Sequence, residues 1–401
     1  MDATRLWRLE GVVQPYAWGS KTAIPELLGV EPTGEPQAEL WLGAHPSAPS
    51  IILADGERVP LDAWIRADPV GVLGTEVAAE FDGELPFLLK VLAAEEPLSI
   101  QAHPNAEQAR EGFAREERAG IPRDAPNRCY RDPHPKPELI VALTPFRALC
   151  RFRAPGDIAV RFEALGIDAL TALAKPLRRS PDRTGLRAFF ERWMMLDAQR
   201  RCRLVEEAAA SVDPAGDPAH AMLAELARSY PGDPGVLAPL FLNLVELAPG
   251  EAMYLPAGEL HAYLGGLAIE VMASSDNVLR GGLTPKHVDV PELLAVLGFD
   301  SGSPKIQWPE PVGPVEVRYA TPAREFSLSV LRPSEEQAWD SPARRGLEIL
   351  FCTEGVARLF ASDDPPLVLQ PGQGVLAPAA AGAYRAEGDR AVLHRLGVAV
   401  K

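Results

Sequence analysis

Residues 249–261 read PGEAMYLPAGELH, a Pro-Gly turn followed by five residues of strand character and a second turn that begins at Pro256. The same spacing returns at residues 371–378, which read PGQGVLAP. Because Pro and Gly mark tight turns, each copy predicts a short strand held between two turns. The first copy ends on His261, whereas the second continues into alanines from Ala379. Only the first copy therefore keeps a side chain suited to binding a metal.

This repeated unit predicts two β-barrels of the cupin jelly-roll type, in which a turn-strand-turn unit forms the second metal-binding hairpin. Short apolar runs broken by Pro and Gly, such as residues 86–92 and 347–352, lie on both sides of the middle of the chain. We therefore predict a mainly β fold with a helical insertion. It contains two jelly-roll barrels, the second of them free of metal, and one all-α domain.

The helical insertion is predicted from a change in periodicity. Five apolar residues recur at the spacing of one helix face, namely Leu186, Phe189, Phe190, Trp193 and Met194. A second helix is predicted to begin at Asp217, as N-cap, with Pro218 in its first turn. The predicted divisions are residues 1–152 and 243–312 for the catalytic barrel, 153–242 for the insertion, and 313–401 for the degenerate barrel.

Composition excludes several classes of protein. Forty Lys and Arg against 55 Asp and Glu give a formal net charge of -15, which repels nucleic acid and anionic lipid. The first ten residues contain no apolar signal-peptide core, and no segment reaches the ~18 apolar residues of a membrane span. The four cysteines lack C-x-x-C spacing, so neither a disulfide framework nor a thiolate metal site is expected. We expect a cytoplasmic protein.

Polar side chains share faces on two predicted strands. In residues 97–103 the strand period of two places Ser99, Gln101 and His103 on one face. Lys136 and Glu138 likewise share a face where residues 136–143 enter an apolar strand. Each residue alone is as typical of a strand end as of a binding site.

The turn after Pro256 adds another imidazole, because His261 and Tyr263 share a face of the following strand. Gln101, His103, Glu138 and His261 together offer one amide oxygen, two imidazoles and one carboxylate. That donor set suits zinc or another divalent first-row metal.

Residues 265–287 continue this region with a strand and a glycine-containing polar loop. Glu270 lies in the strand, and Asp276, Arg280 and Lys286 lie in the loop. Glycines beside a cation allow backbone and guanidinium to approach an anion closely, which favours phosphate.

These blocks are similar to those of type I mannose-6-phosphate isomerases, in the same order along the chain. The matching segments are residues 14–20, 39–46, 85–90, 98–104, 136–138, 254–263 and 274–286. After about residue 298 the chain shares no motif with the family, only the barrel texture.

The resemblance implies one zinc per chain, held by Gln101, His103, Glu138 and His261. It also implies interconversion of mannose 6-phosphate and fructose 6-phosphate through a cis-enediolate. One carboxylate and three neutral ligands would leave the zinc site with a formal charge of +1, which stabilises a developing enediolate oxygen.

The resemblance further assigns roles to the remaining polar residues. The residues that it places in catalysis are Arg280, Lys136, Glu270 and Asp276. The residues that it places in substrate binding are Ser99, Lys90, Lys286, Trp18, His45 and Tyr263, with Trp18 and His45 able either to line the pocket or to pack its wall. The expected partner is a small sugar phosphate, and the expected assembly is a monomer or weak homo-oligomer.

Two other functions fit part of the pattern. His103, Glu138 and His261 would also suit an Fe(II) cupin oxygenase, but Gln101 adds a fourth ligand and the basic loop anticipates an anion. A non-catalytic sugar-binding cupin would need the barrel without the groups around Glu270. We therefore favour the isomerase.

Overall fold

The computed structural model describes residues 1–54, 56–361 and 365–398. Within them the chain is mainly β with twelve α-helices, and the named strands pair antiparallel in two large sheets. The prediction of a mainly β fold is confirmed. No helix in these ranges combines the length and the apolar character needed to cross a bilayer.

The first sheet contains eleven strands, numbered here in chain order over the whole protein. They are β2 (Val12–Gln14), β3 (Glu39–Gly43), β6 (Phe87–Ala94), β7 (Ile100–Ala102), β8 (Glu138–Ala142), β9 (Phe146–Phe152), β10 (Leu242–Leu247), β11 (Ala252–Leu255), β12 (His261–Ala273), β13 (Leu279–Gly282) and β14 (Ile306–Gln307).

The second sheet also contains eleven strands. They are β1 (Trp7–Glu10), β4 (Ile51–Ala54), β5 (Glu57–Pro60), β15 (Glu310–Pro311), β16 (Glu316–Arg318), β17 (Ser327–Leu331), β18 (Trp339–Asp340), β19 (Glu348–Ala361), β20 (Leu367–Leu369), β21 (Gly374–Ala377) and β22 (Tyr384–Gly397). In both sheets the described strands form an open, branched path rather than a closed ring.

Helices decorate the first third of the chain and fill its middle. They are α1 (Ala23–Leu28), α2 (Leu61–Ala67), α3 (Pro69–Leu73), α4 (Thr75–Glu80), α5 (Ala106–Arg118), α6 (Pro155–Ala164), α7 (Asp168–Arg179), α8 (Arg183–Met194), α9 (Ala198–Ser211), α10 (Pro218–Ser229), α11 (Ala238–Phe241) and α12 (Val290–Val296). Short 3-10 turns cover Pro234–Leu237 and Ala379–Ala381.

The helices α6 to α11 lie between β9 and β10, which pair with each other. The helical segment is therefore inserted between two neighbouring strands. Both predicted helices are confirmed. The apolar face of α8 is buried, and the Asp217 side chain accepts a hydrogen bond from the backbone N–H of Ala219 at 2.7 Å, with Pro218 at the start of α10.

Strand β12 belongs to two pairings because it bends in the middle. Its first residues, from His261 to Gly265, pair with β9, whereas residues from Gly266 to Ala273 pair with β6 and β8. Gly266 has φ of +117°, and a Cβ there would lie 2.7 Å from the carbonyl oxygen of Pro145. Only glycine fits that bend.

The start of the chain joins the second sheet, not the first. β1 pairs with β21 on one side, where Trp7 faces Leu376, and with β4 on the other. The predicted division had placed residues 1–152 with the catalytic barrel. The structure differs for β1, β4 and β5, because Trp7 and Ile52 complete the apolar face of the second sheet and β1 covers the edge of β21.

The two sheets share one apolar core. Leu89 and Val91 of β6 in the first sheet pack in the same cluster as Ile349 and Phe351 of β19 in the second. Each fully buried side chain of this kind contributes roughly 1.5–3 kcal/mol. This shared core makes the second sheet a support for the strands of the first.

His394 of β22 is a polar residue inside this core region. It is 3% exposed and faces Val330 and Phe351 on the neighbouring strands, and neither ring nitrogen has a hydrogen-bond partner among the residues that the structure describes. Burial, with the nearby Arg332 charge, lowers the pKa of His394 to about 3. The native ring stays neutral, whereas the unfolded chain protonates it near a pKa of about 6.5. Protonation of His394 therefore has little effect on the free energy of unfolding above pH ~6.5, and it lowers this free energy as the pH drops toward 3.

We predict that His394→Leu raises the free energy of unfolding by about 1–3 kcal/mol at neutral pH, because it removes a buried ring without hydrogen bonds. The fall of stability between pH ~6.5 and 3 should also become shallower. Urea unfolding at several pH values measures both effects, with the exposed His287→Leu as control. The same pH dependence in His394→Leu and in the unsubstituted protein would contradict this prediction.

Candidate metal centre

Three strands of the first sheet bring together two histidines and one carboxylate. His103 follows β7, Glu138 begins β8 and His261 begins β12. His261 pairs with Gln101 of β7, whereas Glu138 pairs with Met272 near the other end of β12. Because β12 bends, its first residue, His261, lies beside Glu138 of β8, the strand that pairs with the last residues of β12.

The three side chains meet in a buried cluster. Nε2 of His103 lies 3.2 Å from one carboxylate oxygen of Glu138, and Nε2 of His261 lies 3.2 Å from the other. All three side chains are about 1% exposed, and one ligand atom from each lies within 4.8 Å of the others. Among the described residues, both Nε2 atoms and Oε2 of Glu138 are buried without a hydrogen-bond partner. Unpartnered buried polar atoms are costly, and a bound cation would satisfy all three.

The second ring nitrogen of each histidine has its own partner. Nδ1 of His103 lies 2.7 Å from the carbonyl oxygen of Asn277, and Nδ1 of His261 lies 2.9 Å from that of Glu259. A carbonyl only accepts, so each Nδ1 carries the proton and donates it. Each Nε2 is then left with a free lone pair directed at the cluster, as metal-binding histidines require.

Lys136 places a positive charge beside the carboxylate, with Nζ 2.9 Å from Oε1 of Glu138. Burial raises the pKa of Glu138, but the nearby Lys136 and His103 have the opposite and larger effect. The pKa of Glu138 therefore lies well below its ordinary value. Burial, together with Lys136, lowers the pKa of His103 to about 4. The carboxylate is therefore ionised and the His103 ring neutral at pH 7, the states in which both bind metal.

A second buried cluster lies beside the first, on β3, β6 and β12. Lys90 of β6 pairs with Glu270 at 3.1 Å and with Glu39 at 3.4 Å, and Glu39 accepts a 2.6 Å hydrogen bond from the indole of Trp41. Burial opposes the charge of Lys90, but Glu270 and Glu39 outweigh it and raise the pKa of Lys90. Burial raises the pKa of Glu270. Lys90 lowers this pKa, but the nearby Glu138 raises it again, so the net shift is upward. Both predicted residues, Lys90 and Glu270, thus lie near the metal ligands.

Asp276 and His45 form a pair on the more open side. Nε2 of His45 lies 3.3 Å from Oδ2 of Asp276, whose side chain is 44% exposed. Nδ1 of His45 contacts Oγ of Ser47 at 2.8 Å, and the His45 ring packs edge-on against Trp41. His45 therefore joins Asp276 to Trp41, the residue whose indole donates to Glu39. Burial raises the pKa of Asp276, but His45 lowers it more.

Three neighbouring cations form a group that we call the cationic rim, namely Arg280, Lys286 and Arg131. Burial lowers the pKa of Arg280, and Arg131 lowers it further. Burial also lowers the pKa of Lys286, with added repulsion from Arg280 and Arg131. Within the described ranges no carboxylate lies at ion-pair distance from any of these three cations. Arg280 also faces Gln101 in the β13–β7 pair, which places it next to the metal centre.

The remaining predicted residues lie around these groups. Gln101 and Ser99 are half-buried, while Ile100 and Ala102 between and beside them point into the apolar core, as the strand period predicts. The Tyr263 ring lies 6.0 Å from that of His261, and its hydroxyl is buried without a hydrogen-bond partner in the described structure. Trp18 stacks on the exposed Tyr16 at 5.8 Å and covers the apolar cluster that contains Tyr263.

Asn277 was not predicted, yet its side chain holds the loop before Lys136. Its Oδ1 accepts hydrogen bonds from the backbone N–H of Arg131 at 2.7 Å and of Asp132 at 3.2 Å. Its amide donates to the carbonyl oxygens of Asp132 and His134, both at 2.8 Å. Asn277 therefore links the loop to His103. The only signal in the sequence was an asparagine in a polar loop, which is typical of most turns.

Comparison with known proteins connects this geometry to an activity. Residues 6–155 match a family model described as phosphomannose isomerase type I, catalytic domain. The chain is 42% identical over 369 residues to a mannose-6-phosphate isomerase of Escherichia coli K12, covering 91% of this chain and 93% of that protein. It is 38% identical over 331 residues to a human mannose-6-phosphate isomerase, covering 76% of each. A zinc-bound crystal structure of a mannose 6-phosphate isomerase matches with a TM-score of 0.90 at 39% identity, over 98% of this chain and 100% of that one.

We predict that Asn277→Ala lowers the free energy of unfolding by about 2–4 kcal/mol, because it leaves several buried backbone groups without partners. Zinc affinity should fall as well, since the released loop leads directly to Lys136 and Glu138. Urea unfolding and chelator competition measure the two effects. Asn105→Ala, which removes an exposed N-cap, is the control and should cost about 1 kcal/mol. Equal destabilisation by the two substitutions would refute the role of Asn277.

Proposed function

The chain belongs to the type I phosphomannose isomerase family and is a mannose-6-phosphate isomerase, and we propose that the His103–Glu138–His261 cluster is the metal centre of its reaction. The substrate pair is mannose 6-phosphate and fructose 6-phosphate. These relatives favour the isomerase over the iron oxygenase and the non-catalytic sugar binder. The observation that carries the proposal is the convergence of three buried donor atoms, none with a hydrogen-bond partner within the described ranges.

The donors fit zinc, because two imidazoles and one carboxylate are ligands that zinc prefers. Gln101, which faces His261 across the β7–β12 pair, supplies the fourth ligand in this proposal. When bound, zinc supplies a Lewis acid that favours negative charge on the substrate oxygens as the enediolate forms. Lys136 keeps the Glu138 carboxylate ionised for this purpose.

The phosphate group of the substrate binds at the cationic rim. Arg280 and Lys286 contribute two charges, and Arg131 contributes a third that the sequence analysis did not anticipate. These three cations have no carboxylate partner in the described part of the chain and repel one another, and a phosphate dianion would relieve that repulsion. Arg280 lies nearest the metal centre by strand register and acts in catalysis as well as in binding.

Proton transfer between C1 and C2 needs groups that hold and release protons near the sugar. Lys136 and Glu270 are buried and locked in ion pairs, so they tune the charge of the centre. Asp276, paired with His45, is the partly exposed carboxylate among the proposed catalytic groups, and we propose that it contacts the substrate. Ser99, Lys90, Trp18 and Tyr263 complete the sugar-binding wall.

The proposal extends to the fold. The bent β12, which pairs with β9 through one half and with β6 and β8 through the other, supports a double-layered cupin jelly roll around the metal centre. β19 is similarly split between β21 and β20, with Gly355 at φ +66°, which supports a second jelly roll near the C-terminus. The helices α6 to α11 form the all-α insertion between β9 and β10.

The acidic charge and the basic rim support a small sugar phosphate as partner rather than nucleic acid or a membrane. The assembly proposed is a monomer or weak homo-oligomer. All four cysteines are free, which supports a reducing, cytoplasmic setting.

We predict that His261→Ala loses zinc and isomerase activity together, because one of two imidazole ligands is removed. Elemental analysis should find about one zinc per chain in the unsubstituted protein and much less in the variant. A coupled assay with mannose 6-phosphate, before and after chelation and zinc restoration, measures activity. The exposed His287→Ala serves as the control. Full zinc content in His261→Ala would show that the ligand assignment is wrong.

We also predict that Arg280→Lys lowers kcat by roughly 10²-fold, equivalent to about 2.7 kcal/mol, because an ammonium cannot replace the planar guanidinium at developing charge. Steady-state kinetics of the zinc-loaded variant separate kcat from KM. Arg187→Lys, in helix α8, is the matched control. If KM rises while kcat stays unchanged, Arg280 only binds substrate.

A further inference from the structure

Arg151 occupies a β-bulge beside the metal centre. In the β9–β10 pair, Phe152 faces Leu242 and Cys150 faces Asn243, so Arg151 is an extra residue on β9. Its φ is +58°, in the left-handed region that side chains other than glycine rarely adopt. Such a conformation persists only where the surroundings hold it.

The surroundings of Arg151 include a dedicated side chain. The amide of Asn243 donates to the carbonyl oxygen of Arg151 at 2.8 Å and to that of Cys150 at 3.2 Å. The same amide donates to Gly302 at 2.9 Å. The carbonyl groups that the bulge removes from the strand ladder are thereby satisfied. Bulges of this kind turn a side chain in a new direction, so the contacts of the Arg151 side chain are informative.

The Arg151 guanidinium contacts the carboxylate of Glu259. Nε and Nη2 lie 2.9 Å and 2.8 Å from the same oxygen, Oε2. The Glu259 side chain is only 6% exposed, and Arg151 is the only cation within ion-pair distance of it in the described part of the chain. The backbone N–H of Arg151 also donates to the carbonyl oxygen of Leu260 at 2.9 Å. One bulge residue thus holds two consecutive residues of the turn before β12.

That turn contains the carbonyl group that orients a metal ligand. The carbonyl oxygen of Glu259 accepts the hydrogen bond from Nδ1 of His261 at 2.9 Å, and His261 is fully buried. A shift of this carbonyl would rotate the imidazole and move Nε2 away from the other ligands. In the described part of the chain Arg151 makes no hydrogen bond or ion pair with His261, so its influence passes through Glu259.

We infer that Arg151 and Glu259 are positioning residues that hold His261 in its metal-binding orientation. The inference rests on the proposed metal centre. Partners of this kind behind a metal-bound histidine typically change metal affinity by 10–100-fold when they are removed. Glycine would adopt the left-handed backbone of this bulge without strain, but it has no charge to direct at the turn. Arg151 accepts the strain and supplies that charge to Glu259.

The test measures zinc affinity of the full-length protein by competition with a chromogenic zinc chelator. Arg151→Gly removes the guanidinium and accepts the left-handed backbone, so it preserves the fold. Glu259→Gln removes the charge from the other partner, and Arg151→Lys keeps a cation. The control is Arg147→Ala, because Arg147 lies on the same strand as Arg151. This substitution breaks an ion pair with Glu225 of α10, away from the metal ligands. Thermal unfolding of each metal-free protein reports stability separately.

We expect about tenfold weaker zinc binding in Arg151→Gly and Glu259→Gln. Affinity should be partly restored in Arg151→Lys and unchanged in Arg147→Ala. With saturating zinc, kcat of Arg151→Gly should approach that of the unsubstituted protein. Zinc affinity unchanged in both Arg151→Gly and Glu259→Gln, whatever their thermal stability, overturns the inference alone. If the unsubstituted protein binds no zinc, both the metal centre and this inference fail.

Discussion

The burial of negative charge at Glu138 is the constraint on which the rest of the site depends. Three buried carboxylates, Glu138, Glu270 and Glu39, face two buried ammonium groups, Lys90 and Lys136. A formal count leaves one negative charge, which a protein interior tolerates poorly without further compensation. A divalent cation at the cluster would change the count to one positive charge. The same positive excess would favour an anionic intermediate, so one balance of charge would serve both folding and the proposed reaction.

This balance explains why so many strands converge on one place. Four of the five charged groups lie on strands, namely Glu39 on β3, Lys90 on β6, Glu138 on β8 and Glu270 on β12, and Lys136 lies just before β8. The bend of β12 at Gly266 allows a single strand to carry both His261 and Glu270. The contacts at Asn277 and Glu259 then fix the ring orientations of the two histidines. Precision in the centre thus comes from residues that lie outside it.

The local features of the fold were predictable from the sequence. Ser99 and Gln101 are half-buried and alternate with Ile100 and Ala102 in the core, and Asp217 with Pro218 marked the start of α10, because these signals act between neighbouring residues. The pairing of β1 with β21, the loop bonds of Asn277 and the bulge at Arg151 join residues far apart in the chain. No local pattern reports such contacts. The role of Glu39 could not be predicted for the same reason, because its partner Lys90 lies on another strand.

The pairing of β1 with β21 also has a consequence for biosynthesis. Trp7 is synthesised about 370 residues before its partner Leu376. At about 5–20 residues per second, roughly 20–70 s separate the two events. During that interval the apolar face of β1 lacks its final partner, and closing so long a loop is slow. The β1–β21 pair can therefore form only after residue 376 has been made, and until then the apolar face of β1 is open to chaperones and to aggregation.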